Sequence, residues 1–499
     1  MNGFAVDERA RRACLAMAGA PSGATSASAA QRFLPPVLRA AVPEARKSEV
    51  HRLALMLVSL TIFSGFFVAF EPAPFDAMMI GLTVLLPCIG LVAITAANLV
   101  YLVLWSLIVV FGLIASVAAN DPSTAAPHIV ITLYLALGSF VIAAFVAKQP
   151  KAHARRIFRA STVGALVAAL TGIAGYFDIV PGAKSLFTVF DRATGSFKDP
   201  NVYAPFLVPS IIFLLHQALS NRLRGAILPV AGIGIIGGAL LLSFSRGAWI
   251  NLAVGLSVYG VLTMLTARTN WLRFKLLAMV GVLAILGLGL VAVALENDSV
   301  GKLFDQRASV TQSYDEGPEG RFGGQQKAIG YVLANPIGLG ALQFGGILHS
   351  EQPHNVYISQ FLNGGWVGGC LYIVLIVASL TLGLRAALKR RWETPLLPVA
   401  LAAFAGLAVE GMVVETDHWR IFFVVIGVLW GLTFPALTLP RRILPAMPLP
   451  ATLAMLPLRQ PRRAPRILGT ASNMLQPIEA FRPKTRRREP RRRARIVVH

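Results

Sequence analysis

Apolar residues in this chain come in long unbroken runs, each about the length that crosses a hydrocarbon core of roughly 30 Å at about 1.5 Å per residue. Twelve such runs predict twelve helices, over 53–70, 77–95, 99–118, 128–147, 157–175, 201–217, 226–245, 248–266, 274–295, 355–384, 394–415 and 418–439. The runs are continuous rather than alternating, which argues against a β-barrel. The pattern predicts an all-α polytopic membrane protein whose transmembrane domain spans 53–440. Two polar interruptions are too long for simple turns, 176–200 and 296–354. The second should carry a short surface helix after Arg321.

Composition supports this class and charge orients it. The 499 residues are 55% hydrophobic and 14% charged, with mean hydropathy +0.65, whereas an ordinary soluble chain is about 25% charged. The loops that hold Lys148, Lys151, Arg155, Arg156, Arg159, Arg222, Arg224, Arg268, Arg273, Lys275, Arg385, Lys389, Arg390 and Arg391 contain a single acid, Glu393. The loops of the opposite set are rich in acids. The positive-inside rule makes the basic set and both termini cytoplasmic and puts 176–200 and 296–354 outside. Much of the net charge of +23 sits in residues 441–499, with 15 Lys and Arg against 2 acids. That tail reads as a disordered basic segment held near anionic headgroups, a reading preferred to nucleic-acid binding. Residues 1–52 read as a disordered cytoplasmic extension without a signal-peptide core. Cys14, Cys88 and Cys370 form no CxxC and suggest neither a disulfide framework nor a metal site.

A few polar residues on the outer side need a reason. Arg246 lies in Ser243-Phe244-Ser245-Arg246-Gly247-Ala248-Trp249 with apolar residues on both sides, where a cation calls for an anionic partner. Arg192 opens a polar turn that contains Lys198 and ends in Asp199-Pro200-Asn201, itself a helix-start signal. Arg321 follows an acidic stretch. His354 stands in Pro353-His354-Asn355-Val356-Tyr357, where Asn355 can cap the next helix and the imidazole can act on an external substrate. Three guanidinium groups and one imidazole on one membrane side suit a pyrophosphate leaving group. The forks bind phosphate oxygens whatever the pH, and the histidine takes a proton from an attacking hydroxyl. No Asp-rich metal motif accompanies them. Glu410, which looks buried in a span, is the best support for a rival reading as a transporter.

These segments resemble the O-antigen ligase / O-antigen polymerase superfamily of bacterial polysaccharide assembly. The resemblance rests on Gly195-Ser196-Phe197-Lys198-Asp199-Pro200-Asn201, Ser245-Arg246-Gly247-Ala248-Trp249, Arg321 with Asn335-Pro336-Ile337-Gly338-Leu339-Gly340, and His354-Asn355-Val356-Tyr357 followed by Gly364-Gly365 and Gly368. It implies a GT-C-like fold and transfer of a glycan from undecaprenyl pyrophosphate to a sugar hydroxyl on the periplasmic face of the inner membrane. His354 and Arg321 would be catalytic, and Arg192, Arg246 and Arg321 would bind the donor pyrophosphate. Lys198, Asn201 and Asn355 would support them, and no metal or other cofactor is implied. The partners would be the lipid-linked donor, a glycan or lipid A-core acceptor, membrane lipids, and chain-length or export proteins, with no nucleic acid. The chain departs from the family at Gln325-Gln326-Lys327, where a Trp is usual, and at Asp199, where Asn is usual. Polymerase and ligase both remain open, with a polysaccharide-precursor flippase or other transporter as the alternative.

Overall fold

The computed structural model describes residues 36–295, 317, 318, 320–389 and 394–437. The C-terminal tail, the first 35 residues and most of the 296–320 stretch lie outside them. The described residues belong to one compact unit. Fourteen helices are described: α1 (Pro36–Ser64), α2 (Pro74–Cys88), α3 (Ala96–Val117), α4 (Pro122–Lys148), α5 (Pro150–Tyr176), the short α6 (Ala183–Phe187), α7 (Pro200–Ser220), α8 (Leu223–Leu242), α9 (Arg246–Thr266), α10 (Asn270–Leu295), α11 (Arg321–Ala334), α12 (Val356–Leu388), α13 (Leu397–Glu410) and α14 (Arg420–Leu437). A two-stranded hairpin, β1 (Thr188–Val189) and β2 (Arg192–Ala193), lies between α6 and α7.

Each of the twelve apolar runs coincides with a helix, but not all are of spanning length. Eight are long and apolar enough to cross a membrane: α3, α4, α5, α7, α8, α9, α12, and α10 over Asn270–Gly289. Two more are apolar but shorter, Pro74–Cys88 and Leu397–Glu410, and α14 is apolar over Arg420–Thr433. Local turns explain the shortfall. The 394–415 run ends as helix at Glu410, where Gly411 begins a turn. The 77–95 run ends at Cys88, just after Pro87, and Gly90 takes a positive φ. The first run stops at Ser64, and Val68 pairs instead with Phe197. At its other end α1 reaches back to Pro36, inside the extension expected to be disordered. Its Ala, Arg, Lys and Glu residues favour helix.

Helix packing is knit by α9 along α13, α14 along α4, and α12 along α3. Tyr101, Tyr203, Phe145, Phe213, Phe404 and Phe422 are fully buried at the centre of the bundle. One ion pair ties three helices together. Arg420 donates through Nε and Nη2 to Asp76 at 2.8 and 2.6 Å. Asp76 also accepts from Tyr134 Oη and from the Ala73 amide. The carboxylate is thus saturated, which makes its burial tolerable.

α12 is broken at Gly365, whose φ is 66° and ψ −168°. The Asn335–Gly340 segment fits into the break. Leu339 and Gly340 amides donate to Leu362 O at 2.8 and 3.1 Å, and the Trp366 amide donates to Pro336 O at 2.9 Å. A Cβ on Gly365 would lie 2.4 Å from Pro336 O, so a side chain there would expel the segment. The expected helix after Arg321 is α11, and this hook holds its C-terminal end.

Candidate active site

The site begins with the hairpin. A two-residue turn, Phe190-Asp191, joins β1 to β2 with both φ values positive (51° and 55°), as a type I′ hairpin requires. The turn delivers Arg192 into the protein, where it is 7% exposed. Its Nε donates to Ser243 O at 2.7 Å and its Nη2 to Asn201 Oδ1 at 2.8 Å. Asn201 sits in the first turn of α7, whose N-cap Asp199 accepts from the Asn201 amide at 2.7 Å. Asn201 Oδ1 also accepts from Ser245 Oγ at 3.1 Å. One side-chain oxygen therefore joins the hairpin, the start of α7 and the α8–α9 turn.

Around this platform lies a cavity of about 430 Å³. Arg192, Arg246, Arg321 and His354 all line it, with Asp199, Asn201, Glu351 and Glu415. Arg246 is the first residue of α9 and Arg321 the first of α11, whose Nη2 donates to Val413 O. His354 has φ 50°, a left-handed conformation that histidine tolerates better than branched residues. Its Nε2 is 2.9 Å from Glu351 Oε2, and the imidazole is 35% exposed. A carboxylate three residues back thus orients the ring, the arrangement used to set a catalytic base.

Two other expected residues lie elsewhere. Asn355 caps α12, its Oδ1 accepting from the Tyr357 and Ile358 amides at 3.0 and 3.3 Å. Lys198 is exposed and does not line the cavity.

The α13–α14 connection supplies groups that the sequence reading did not assign. Glu415 Oε1 accepts from Ser359 Oγ at 2.9 Å, and the carboxylate also takes the backbone N–H of His354. Burial, with Asp417 adding to it, pushes Glu415 up to about 7. Next to it, His128 Nε2 meets Asp417 Oδ2 at 3.2 Å, and the His128 and His418 rings stack with centroids 3.9 Å apart. Burial opposes the ionised form of Asp417, but the His128 hydrogen bond together with the electrostatic pull of His418 and His128 outweighs it and holds this carboxyl below its ordinary range. Burial pushes His418 down to about 4. His128, Asp417 and His418 bring donor atoms within 4.8 Å of one another, a spacing a metal ion accepts. In this structure they are engaged inside the protein, His128 with Asp417 and His418 with Thr132 Oγ1 at 3.0 Å. The signal for this corner was the polar run Glu415-Thr416-Asp417-His418 between the last two apolar runs. Glu410, the buried acid that supported the transporter reading, accepts from Asn251 Nδ2 at 2.7 Å, while Arg420 pairs with Asp76.

A profile of the O-antigen ligase family matches residues 231–373. The matched segment holds Arg246, Arg321, His354 and the Asn335–Gly340 hook, and the resemblance to the O-antigen ligase/polymerase superfamily is borne out there. Arg192 and Asn201 lie outside it. No curated protein matches the chain. With the helical architecture, the match supports a multi-pass membrane protein with an O-antigen ligase/polymerase-type role in polysaccharide assembly.

Proposed function

We propose that this cavity transfers a glycan from a lipid-linked pyrophosphate, with undecaprenyl as the carrier, to a sugar hydroxyl. The observation that carries the reading is the meeting of Arg192, Arg246, Arg321 and His354, from three distant stretches of chain, on one cavity. Guanidinium groups hold the pyrophosphate and meet the charge that grows on it, in place of a metal ion. His354 donates from Nε2 to Glu351, which leaves Nδ1 to take the hydroxyl proton. The acceptor oxygen then bonds to the anomeric carbon as the bond from that carbon to the phosphate oxygen breaks. The pyrophosphate departs with the electron pair, and the configuration inverts.

In this reading the chain crosses the bacterial inner membrane twelve times, with a GT-C-like arrangement of helices, cytoplasmic termini and a periplasmic cavity. Local thinning of the bilayer would accommodate the short helices α2 and α13. Polymerase and ligase differ in the acceptor, a growing glycan or lipid A-core, and chain-length or export proteins would be partners of either. A transporter would gather polar groups midway along its helices, whereas here they gather at helix ends.

The test is a deletion strain complemented with His354→Ala or Arg321→Ala at matched protein levels, followed by analysis of the surface glycans. Glycans that stop at single repeat units, or polymer missing from lipid A-core, are the expected results. Unchanged chain length together with unchanged ligation would defeat the assignment.

A further inference from the structure

The cavity is lined by two kinds of group, and the proposed donor uses one of them. Arginines suit an anion. Glu415 does not, because an ionised carboxylate repels pyrophosphate. Glu415 is nonetheless built into the wall. It is fixed by two donors, Ser359 Oγ on α12 and the His354 amide, and among the described residues neither of these is a guanidinium. The other two cavity carboxylates have local tasks, Asp199 as the α7 cap and Glu351 on the His354 ring. A carboxylate offers about four acceptor positions, and Ser359 and His354 occupy two. Trp419 lines the same cavity, and an aromatic face beside a carboxylate suits a sugar, which is apolar on its C–H faces and rich in hydroxyl donors.

We propose that Glu415, held by Ser359 and the His354 amide, forms the acceptor subsite, where its carboxylate receives hydrogen bonds from hydroxyls of an uncharged sugar. This rests on the glycan-transfer reading and names the half of the site that reading leaves open. The shared tie matters. Because the carboxylate grips the backbone of His354, a hydroxyl bound by Glu415 is registered against the imidazole that takes its proton. Glu415 is thus a positioning residue, and the ligand class is a neutral, unphosphorylated sugar at the attacking end.

Charged groups face Glu415 from several elements. Asp417 and His418 share its connection and His128 comes from α4. His354 and Glu351 precede α12, and Arg246 and Arg321 line the same cavity, Arg321 donating to Val413 O two residues before Glu415.

The test uses the purified full-length protein in detergent. The probes are oligosaccharide released by mild acid from the producing bacterium's surface glycan and, separately, inorganic pyrophosphate. Binding of each is measured by calorimetry at pH 8 for the wild type, Glu415→Gln and Ser359→Ala. Loss of one charge-assisted hydrogen bond corresponds to about 10-fold or more. The expected result is oligosaccharide binding about 10-fold weaker in Glu415→Gln, with pyrophosphate binding no weaker than in the wild type because a repelling charge has been removed. Ser359→Ala, which keeps the carboxylate but loosens it, should give a loss of a few fold and serves alone if Glu415→Gln does not fold. Equal oligosaccharide binding by wild type and variants, equal weakening of both probes, or no oligosaccharide binding by the wild type each overturns the subsite. Failure of glycan transfer with these binding results intact would count against the transfer reading and leave the subsite standing.

Discussion

Asn201 offers the sharpest separation of structure from electrostatics in the site. Its Oδ1 accepts from Arg192 Nη2 at 2.8 Å and from Ser245 Oγ at 3.1 Å. Asn201→Ala removes both hydrogen bonds. The charged bond contributes about 1.5–3 kcal/mol and the neutral one about 0.5–1.5 kcal/mol. They share one atom and are not independent, so a loss of about 2–4 kcal/mol is expected, visible as a lower unfolding midpoint in detergent. Asn201→Asp keeps both hydrogen bonds and strengthens the tie to Arg192, so the fold should hold. It also adds a negative charge at the cavity wall. At an effective dielectric of about 20 and a distance of about 6 Å, one unit charge acts on another by roughly 3 kcal/mol. Donor use should therefore fall by about two orders of magnitude, read as donor KM or kcat/KM in a transfer assay, or as loss of long glycans in a complemented strain. The two variants thus fail for opposite reasons, one unstable and one stable but weak on the anion. Normal donor use by a well-folded Asn201→Asp protein would refute the placement of the pyrophosphate beside Arg192.

Two further outcomes follow from the geometry. Asp76→Asn leaves the largely buried Arg420 without its countercharge and should destabilise the protein by about 3–5 kcal/mol; an unfolding midpoint in detergent unchanged from wild type would contradict this. Asn355→Ala removes an N-cap at a cost of about 1 kcal/mol and should leave transfer within a few fold, whereas a loss as deep as that of His354→Ala would show that Asn355 takes part in the chemistry.

The helices were legible because apolar runs of membrane length have few other uses. Their ends were not. An apolar count passes through Gly411 and Pro87-Cys88-Ile89-Gly90 without registering the turns, which depend on φ values rather than hydrophobicity. In the site, Arg192, Arg246, Arg321 and His354 stood out because cations and an imidazole at span ends require partners. Their partners stayed hidden. Ser243 contributes a backbone carbonyl to Arg192, and any residue type carries one. Glu415 was visible as an acid near a span end, but its role depends on Ser359 and His354 lying across from it. Asn355 and Asp199 were both marked, and both proved to be caps, the commoner use of such residues before a helix.

The glycines of the matched segment have a mechanical consequence for the chemistry. The hook at Asn335–Gly340 seizes the break in α12 at Gly365. α11 runs from that hook to Arg321, 14 residues or about 21 Å as an α-helix. α12 runs from the same break back to Asn355, next to His354. The two rigid arms therefore share one pivot, and Arg321 and His354 sit at their far ends. Fixing the pivot fixes the separation of the cation from the base, although neither residue touches the hook. Gly338 and Gly365 are thus required in the way site residues are, through the distance they set. A Cβ at Gly338 would lie 2.6 Å from the Gly365 amide nitrogen, so a side chain at either glycine would open the pivot and displace the two functional groups together.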